Sequence, residues 1–377
     1  MSIYFIYTLS LINGANAQGA RVVLSLYALD LGARPFTVGV LAATFSIVPV
    51  MLGVKVGKLA DRLGARWLLI AGAAAGGLGM LMPYLFPGIP AIFAAGILNG
   101  PSAVLFNLLL QNLVGLLSEP EYRARNFGNY SLINALYSFI GPLFAGFTID
   151  HLGHAYACLS LAVFSLAPAA MLAIWGKHLP GGTRHAESED RRDTGMLSYP
   201  GVRTTLVTGS LQNTADSLYQ FYMPVYAHAK GLSASAIGVI LAMYPAAATV
   251  MRIMLTRLIL RFQEERLLAC AFYLGAGSLS LVPFFSTTIT LASISFVLGL
   301  GMGCCGPIVT MLMFGSAPPG RSGEALGLKM TINHLTKLVT PMVFGSVASA
   351  FGLSPVFWIN ALMLSVGGYL SYPKSKT

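Results

Sequence analysis

The chain has 377 residues, of which 55% are hydrophobic and only 10% charged, and its mean hydropathy is +0.71. Soluble domains carry about 25% charged residues, so this composition excludes a soluble globular protein. The net charge of +10 is explained by membrane topology and contact with anionic lipid, and nucleic-acid binding is not needed.

Apolar runs of about 20 residues, the length that crosses a bilayer as a helix, recur along the whole chain. They predict an all-α integral membrane protein with twelve transmembrane helices. The first run lacks a basic leader and contains Asn13, Asn16 and Arg21, so we interpret it as a span and not as a cleaved signal peptide. The predicted spans are 3–29, 36–56, 66–86, 89–117, 127–149, 153–175, 200–228, 234–255, 266–286, 288–316, 325–350 and 353–372.

The loop between the second and third predicted spans reads "GKLADRLGAR", residues 57–66. Gly57 has no side chain where a short turn must let two helices approach. Asp61 can face the positive end of a neighbouring helix, and Arg62 and Arg66 can anchor at an anionic leaflet. A simple basic turn would explain the arginines but not the single aspartate.

The polar stretch 176–199, rich in charge, glycine and proline, predicts a solvated linker between two halves. The predicted domains are an N-terminal six-helix bundle (1–175), the linker (176–199) and a C-terminal six-helix bundle (200–377). Of the 23 lysines and arginines, Arg34 and Lys230 lie in odd-numbered loops and nearly all others lie in or beside even-numbered loops, the linker and the C-terminal tail. The positive-inside rule therefore predicts that both termini are cytoplasmic.

The two halves repeat when the sequence is shifted by 199 residues without gaps. Matched pairs include the turn glycines Gly32 with Gly231 and Gly153 with Gly352, and also Asn134 with Asn333. Such residues kept in register are stronger evidence than matched leucines. Two like-oriented halves of six helices, related by an axis along the membrane normal, are typical of secondary transporters.

With this repeat, the 57–66 loop resembles the signature of the major facilitator superfamily, G-x-L-a-D-R-x-G-[RK]-[RK]. Ala65 departs at one basic position, and the second-half loop has Leu260 where the aspartate would fall. The resemblance implies two pseudo-symmetric six-helix bundles that alternate by a rocker switch. It also implies a cytoplasmic gate formed by Gly57, Asp61, Arg62, Gly64 and Arg66.

The segment "GNYSLINALYSFIGPLFAG", residues 128–146, resembles the proton-antiporter motif of the fifth span in the same superfamily. Gly128, Gly141, Pro142 and Gly146 are in place, whereas Tyr137 and Ala145 replace two glycines. The basic residue that such antiporters carry in the fourth span would fall near Gly96, where there is no arginine. The antiporter subfamily is therefore only half supported.

Polar residues inside a membrane are costly, and they normally face a cavity or one another. In the seventh span Gln212, Asp216, Tyr219 and Gln220 fall on one helical face. Interhelical hydrogen bonds explain scattered amides as well as substrate contact does. The predicted cavity residues are Asn13, Asn16, Arg21, Asn107, Gln111, Asn134, Tyr137, Gln212, Asp216, Tyr219, Gln220, Asn333, His334 and Lys337.

Charge within the predicted spans favours an anionic substrate. Arg21 and Lys337 give two positive charges within the spans, against the single negative charge of Asp216. Arg252 lies toward the cytoplasmic end of its span, where its side chain can instead reach the membrane surface. Excess positive charge in a cavity of low dielectric attracts anions. Asp216 has three possible roles: an ion pair with Arg21 or Lys337, a proton carrier, or a contact for a cationic group of the substrate. Asp216 and His334 are the predicted proton-coupling residues.

The sequence thus predicts a transporter in the cytoplasmic (inner) membrane that is proton-coupled and carries a small organic anion. One alternative is a proton-driven drug or metabolite efflux pump. The other is a sensor that has lost transport, although the chain lacks the long signalling tail usual for such proteins. No enzyme dyad, cofactor or metal site is predicted, since His151 and His154 have no further ligands near them in sequence. The expected partners are the small molecule, protons and lipids, and the expected state is a monomer.

Overall fold

A computed structural model describes residues 3–47, 64–119, 121–176, 196–318 and 322–372. The described residues form helices and short connections, with no strand among them. Gly57, Asp61 and Arg62 of the predicted gate, and most of the predicted linker, lie outside the described residues.

The described helices follow the predicted spans closely, because each apolar run ends at a glycine, a proline or a polar turn. Two short 3-10 helices, Met196–Ser198 and Val282–Phe284, lie between the α-helices. The helices are α1 Ile3–Asp30, α2 Pro35–Ile47 as far as it is described, α3 Ala65–Leu85, α4 Ile89–Leu117, α5 Arg123–Trp175, α6 Pro200–Ala229, α7 Ala234–Arg261, α8 Glu264–Leu281, α9 Thr288–Ser316, α10 Ser322–Phe351 and α11 Ser354–Ser371.

Helix α5 contains the fifth and sixth predicted spans. Gly153 interrupts it with φ 84° and ψ 170°, values outside the helical region, so α5 is two helices joined at a kink. With α5 counted as two, the described part of the chain has the twelve α-helices that the sequence predicts.

Six of the described helices are both long and apolar enough to cross a membrane by themselves, α5 being counted as one. Helices α1, α6 and α10 are as long, at 28, 30 and 30 residues, but carry more of the polar side chains. The same side chains that lower the hydropathy of these helices include most of the predicted cavity residues.

The glycines matched by the repeat end equivalent helices in the same way. Gly32 and Gly231 adopt φ of 81° and 77°, and Gly153 and Gly352 both adopt 84°. After α1 and α6, backbone hydrogen bonds of the Schellman type satisfy the last carbonyls, Ala33 N–H to Ala28 at 2.9 Å and Leu232 N–H to Ala227 at 3.1 Å. Only glycine adopts this left-handed conformation without strain, so the repeat marks the helix ends.

The described chain divides into two compact units. Unit 1 comprises 1–188 together with 233–242, and unit 2 comprises 189–232 together with 243–377. The first turns of α7 therefore belong to unit 1, although they follow the predicted linker. That assignment is not apparent from the sequence. The predicted division into 1–175, 176–199 and 200–377 remains a prediction.

In unit 1 a core of buried apolar side chains joins α1, α3, α4 and α5, with Ile6, Leu69 and Leu110 fully buried. In unit 2, the glycines of "GLGMGCCG" (299–306) in α9 allow close helix packing. A Cβ at Gly303 would lie 2.6 Å from the Cα of Ala248 in α7. These glycines bring the backbone of α7 close to α9.

Candidate functional site

In unit 1, the amides of α1 are joined to α4. Asn13 donates to the hydroxyl of Ser102 at 3.2 Å, and Asn16 donates to the side-chain carbonyl of Asn99 at 3.3 Å. Asn99 in turn donates to the carbonyls of Gly76 and Ala95. Asn13 and Asn16 are 2% and 1% exposed. Both residues therefore bond α1 to α4, and their part in a substrate cavity remains a prediction.

Arg21 lies on the part of α1 that packs against α5. Its guanidinium donates to Gln18 at 3.5 Å, and Gln18 donates to Ser138 at 3.4 Å. The ring of Tyr137 packs where Gly14 has no side chain, since a Cβ at Gly14 would lie 2.2 Å from the ring. Arg21 and Tyr137 also interact electrostatically. The structure thus brings these two predicted cavity residues together.

Three other predicted cavity residues of unit 1 lie on α4 and α5. Asn107 and Gln111, one turn apart on α4, are both exposed. Asn134 accepts a hydrogen bond from Ser10 of α1 at 3.4 Å. Its repeat mate Asn333 accepts one from Asn213 of α6 at 2.7 Å. Equivalent asparagines therefore join the first and fifth helix of each half.

Asp216 is the acidic centre of unit 2. Its carboxylate accepts a hydrogen bond from the hydroxyl of Tyr244 on α7 and a second from the side chain of Gln212, one turn earlier on α6. A carboxylate deep in an apolar bundle requires such partners, because desolvation costs several kcal/mol per unpaired ion. Gln212 and Asp216 are thus brought together as the helical spacing predicts.

Tyr244 reaches Asp216 because α7 packs closely on α9. A Cβ at Gly299 would lie 2.3 Å from the carbonyl oxygen of Tyr244, so only glycine fits there. The ring of Tyr219 stacks on the ring of Tyr244 at 5.0 Å and 28°. Tyr219 is itself 2% exposed, and the buried aromatic pair therefore fixes the hydroxyl beside the acid.

Two cations act on Asp216 electrostatically, Lys337 of α10 and Arg252 of α7. Lys337 is exposed and also interacts with His334, which is partly buried. Arg252 is exposed and donates to the carbonyl of Gly303 at 3.3 Å. Two cations therefore act on this one acid in unit 2. Of the two cations that the sequence set against Asp216, Lys337 is one of these, whereas Arg21 belongs to unit 1. Gln220, one turn beyond Asp216 on α6, is partly buried.

The described part of the predicted gate contacts the end of α5. Gly64 precedes α3 with φ 78°, a conformation that suits glycine. Arg66 donates to the carbonyls of Leu172 and Ala173 at 3.1 and 2.9 Å. The carbonyl of Leu172 also accepts from the N–H of Gly176 at the end of α5, so the guanidinium adds a second contact to this helix end. Arg66 is a helix cap in unit 1 in addition to any role in gating.

His151 and His154 lie on either side of the kink in α5 and make separate contacts. His154 Nδ1 lies 3.3 Å from a carboxylate oxygen of Asp30 at the end of α1. The ring of His151 stacks on Phe147 at 6.4 Å. The two histidines therefore contribute to packing and pairing within unit 1.

Sequence reasoning missed Tyr244, Asn213, Asn99 and Lys329. Tyr244 is one aromatic residue in an apolar run, and nothing in the sequence indicates that it faces the acid. Lys329 lies in α10 and donates to Thr310 at 2.6 Å. Its position eight residues before Lys337 could have indicated a further polar residue on the same face of that helix.

The helices, the repeat and a partly buried charged group between helices define a class, the polytopic helical membrane transporters. A sequence model described as Major Facilitator Superfamily matches residues 6–336 and 206–377. The chain belongs to the Major Facilitator Superfamily, and it is a transporter of the cell membrane, not an enzyme.

The relatives agree with this assignment over nearly the whole length. An uncharacterized MFS-type transporter, MJ1560 of Methanocaldococcus jannaschii, is 19% identical over 359 residues, 93% of this chain and 92% of the relative. The quinolone resistance protein NorA of Staphylococcus aureus (strain COL) is 22% identical over 355 residues, 91% and 89%. A crystal structure of a mutant of the nucleoside transporter NupG superposes with a TM-score of 0.80 at 15% identity, covering 98% of both chains. The solved structure shows the fold alone.

Proposed function

We propose that this transporter carries a small organic anion in exchange with, or together with, protons. The observation that carries the proposal is the surroundings of Asp216, whose one negative charge has Lys337 and Arg252 as electrostatic neighbours. At an effective dielectric constant near 20, each unit charge at about 4 Å contributes about 4 kcal/mol, so one surplus cation favours an anion strongly. Arg21, the charged residue in the middle of α1, is proposed as the second anion contact in unit 1.

Asp216 is proposed as the proton carrier. The hydroxyl of Tyr244 and the amide of Gln212 stabilise its charged form by hydrogen bonds. When the carboxyl takes up a proton, its attraction for Lys337 ends, and Lys337 becomes available to an anionic substrate. An acid that releases a cation on protonation links proton movement to anion binding. His334, which interacts with Lys337, is the second proposed proton-coupling residue.

Counterflow into proteoliposomes tests the anion proposal. Radiolabelled benzoate, succinate and lactate are the probes, with ethidium as the cationic counterpart. We expect Lys337→Gln to lower anion counterflow at least tenfold. Lys329→Gln is the matched control, because it removes the same charge from the same helix, and its bond to Thr310 places it in a separate contact. Wild-type anion transport in the double variant Arg21→Gln with Lys337→Gln would refute the anion assignment.

Coupling is tested separately from binding. We expect Asp216→Asn to abolish accumulation driven by a pH gradient while exchange between equal concentrations continues, because exchange needs no net proton movement. Glu265→Gln, at an exposed acid in the first turn of α8, is the control for loss of one carboxylate. If Asp216→Asn still accumulates substrate against its gradient, Asp216 is not the proton carrier.

Drug efflux is the second candidate function. It is favoured by the similarity to NorA, which is named for quinolone resistance, and by the stacked rings of Tyr219 and Tyr244 next to the acid. Planar aromatic compounds stack on such rings. Ethidium efflux from cells expressing the wild type, lost in Tyr219→Leu, would support this function. Efflux unaffected by Tyr219→Leu would exclude the tyrosine pair as the drug contact.

The proposed topology places both termini in the cytoplasm, and the proposed state is a monomer. Cysteines introduced at Arg34 and Lys230 are then expected to react with a membrane-impermeant maleimide added outside intact cells, while one at the exposed Glu119 reacts only after the membrane is opened. The exposed native Cys270 is replaced by serine beforehand. Labelling of Glu119→Cys in intact cells would contradict the proposed orientation. Light scattering of the purified protein measures its mass and tests the monomer.

A further inference from the structure

The start of α7 is capped by a carboxylate from a distant helix. Ala234 N–H donates to one oxygen of Asp150 at 2.9 Å, and Ser235 N–H donates to the other at 2.8 Å. The hydroxyl of Ser235 donates to the same carboxylate. The first N–H groups of a helix have no partner within it, and a cap normally comes from the preceding residue. That local cap is also present here, since Ser233 accepts from Ala236 N–H at 3.3 Å, so Asp150 is an additional one.

Close backbone contact accompanies these bonds. A Cβ added at Gly146 would lie 2.3 Å from the carbonyl oxygen of Ala234, and one added at Gly238 would lie 2.6 Å from that of Pro142. Both glycines therefore allow α5 and the first turns of α7 to touch along their backbones. The two helices make a fitted junction inside unit 1.

The cap has an electrostatic component. Partial burial raises the pKa of Asp150, but the hydrogen bonds from Ser235, Ala234 and Ser233 outweigh it and hold that pKa below its usual range. The side chain is therefore a carboxylate at neutral pH. An anion at a helix N-terminus is stabilised by the helix dipole.

Helix α7 is covalently continuous beyond this junction, but its remaining turns belong to unit 2. The division falls after Ala242. Pro245 follows closely, and it lacks the N–H that would bond to the carbonyl of Leu241, which weakens the helix at this point. Tyr244, the partner of Asp216, lies between the division and the proline. Helix α7 is thus capped by Asp150 in unit 1, and in unit 2 it carries Tyr244, the partner of Asp216.

We propose that Asp150 is a positioning residue of the transport cycle, whose carboxylate holds the first turns of α7 to α5 and must release them once in every cycle. A cap that is too stable would slow the cycle. If the cap were lost, the first turns of α7 would no longer be held against α5. The inference rests on transport by the chain, not on the proposed anion or on proton coupling.

Electron paramagnetic resonance tests this without a substrate. Spin labels are attached to Arg34→Cys and Lys230→Cys, two exposed positions in unit 1 and unit 2, in a Cys270→Ser background and in lipid nanodiscs. The distance distribution between the labels reports the populations of conformational states. We expect Asp150→Asn to increase the population at the longer distance at least threefold. Asp30→Asn is the matched control, because that aspartate also ends a helix of unit 1 and its carboxylate lies 3.3 Å from His154.

Two further variants keep the test decisive if Asp150→Asn does not fold. Ser235→Ala removes one donor and leaves the backbone bonds, so a smaller shift in the same direction is expected. Gly146→Ala inserts a methyl group against Ala234 and is expected to give the larger shift. Distributions equal to the wild type in all folded variants would overturn the proposal, and so would an equal shift in Asp30→Asn. Failure of the anion or proton assays would leave this measurement unaffected.

Discussion

Two glycines of the fifth-span motif, Gly141 and Gly128, are expected to respond oppositely to the same substitution. A Cβ at Gly141 would lie 2.7 Å from the Cβ of Gln18 and 2.8 Å from the carbonyl oxygen of Ala15. Both atoms belong to or adjoin the α1 backbone, so neither can move away cheaply. A Cβ at Gly128 would meet nothing within 4 Å. Gly141→Ala therefore overpacks the α1–α5 contact, whereas Gly128→Ala does not.

The magnitudes follow from two opposing terms. Overpacking a well-packed site costs about 1–3 kcal/mol, and the backbone contacts at Gly141 place it in the upper half of that range. Replacing glycine by alanine within a helix gains about 1 kcal/mol at either position. Gly141→Ala is thus expected to lower the free energy of unfolding by about 1–2 kcal/mol. Gly128→Ala is expected to raise it by up to about 1 kcal/mol.

Unfolding of the purified protein by sodium dodecyl sulfate in mixed micelles measures both variants. The circular dichroism at 222 nm follows the helix content, and the midpoint shift at constant slope gives the change in free energy. The difference between the two variants is the main quantity, because errors of extrapolation cancel. Equal stability of Gly141→Ala and Gly128→Ala would refute the close approach of α1 and α5 at Gly141.

Three further predictions use contacts within a single unit. Tyr222→Phe removes the bond of the buried hydroxyl to the carbonyl of Pro341, 2.6 Å long, and is expected to cost about 1–2 kcal/mol in the same titration; no shift would contradict the bond. Arg66→Lys loses the two-pronged contact with the end of α5, so hydrogen exchange in the peptide 170–176 should accelerate at least threefold while exchange in α9 stays unchanged. Asn99→Ala removes the partner of Asn16 and is expected to cost about 0.6 kcal/mol per lost bond, the average for polar contacts in membranes; a larger cost for exposed Asn107→Ala would reverse the assignment.

The sequence alone determined the fold class, the helices and their repeat. In lipid, an apolar run of bilayer length that does not join a closed barrel must form an α-helix, because only a helix bonds every backbone N–H and C=O within its own segment. Gly32, Gly153, Gly231 and Gly352 marked helix ends because only glycine takes the left-handed conformation there freely. The face containing Gln212 and Asp216 also followed from the helical period.

Only the tertiary structure decided which polar groups meet. The helical period gives the face of a residue but not the helix opposite it, so Tyr244 could not be paired with Asp216, nor Asn16 with Asn99, before the helices were placed. The position of Asp150 shows this best. In sequence it is one acid at the end of an apolar run, and only the fold brings it to the first N–H groups of α7, 84 residues away, where those groups lack partners.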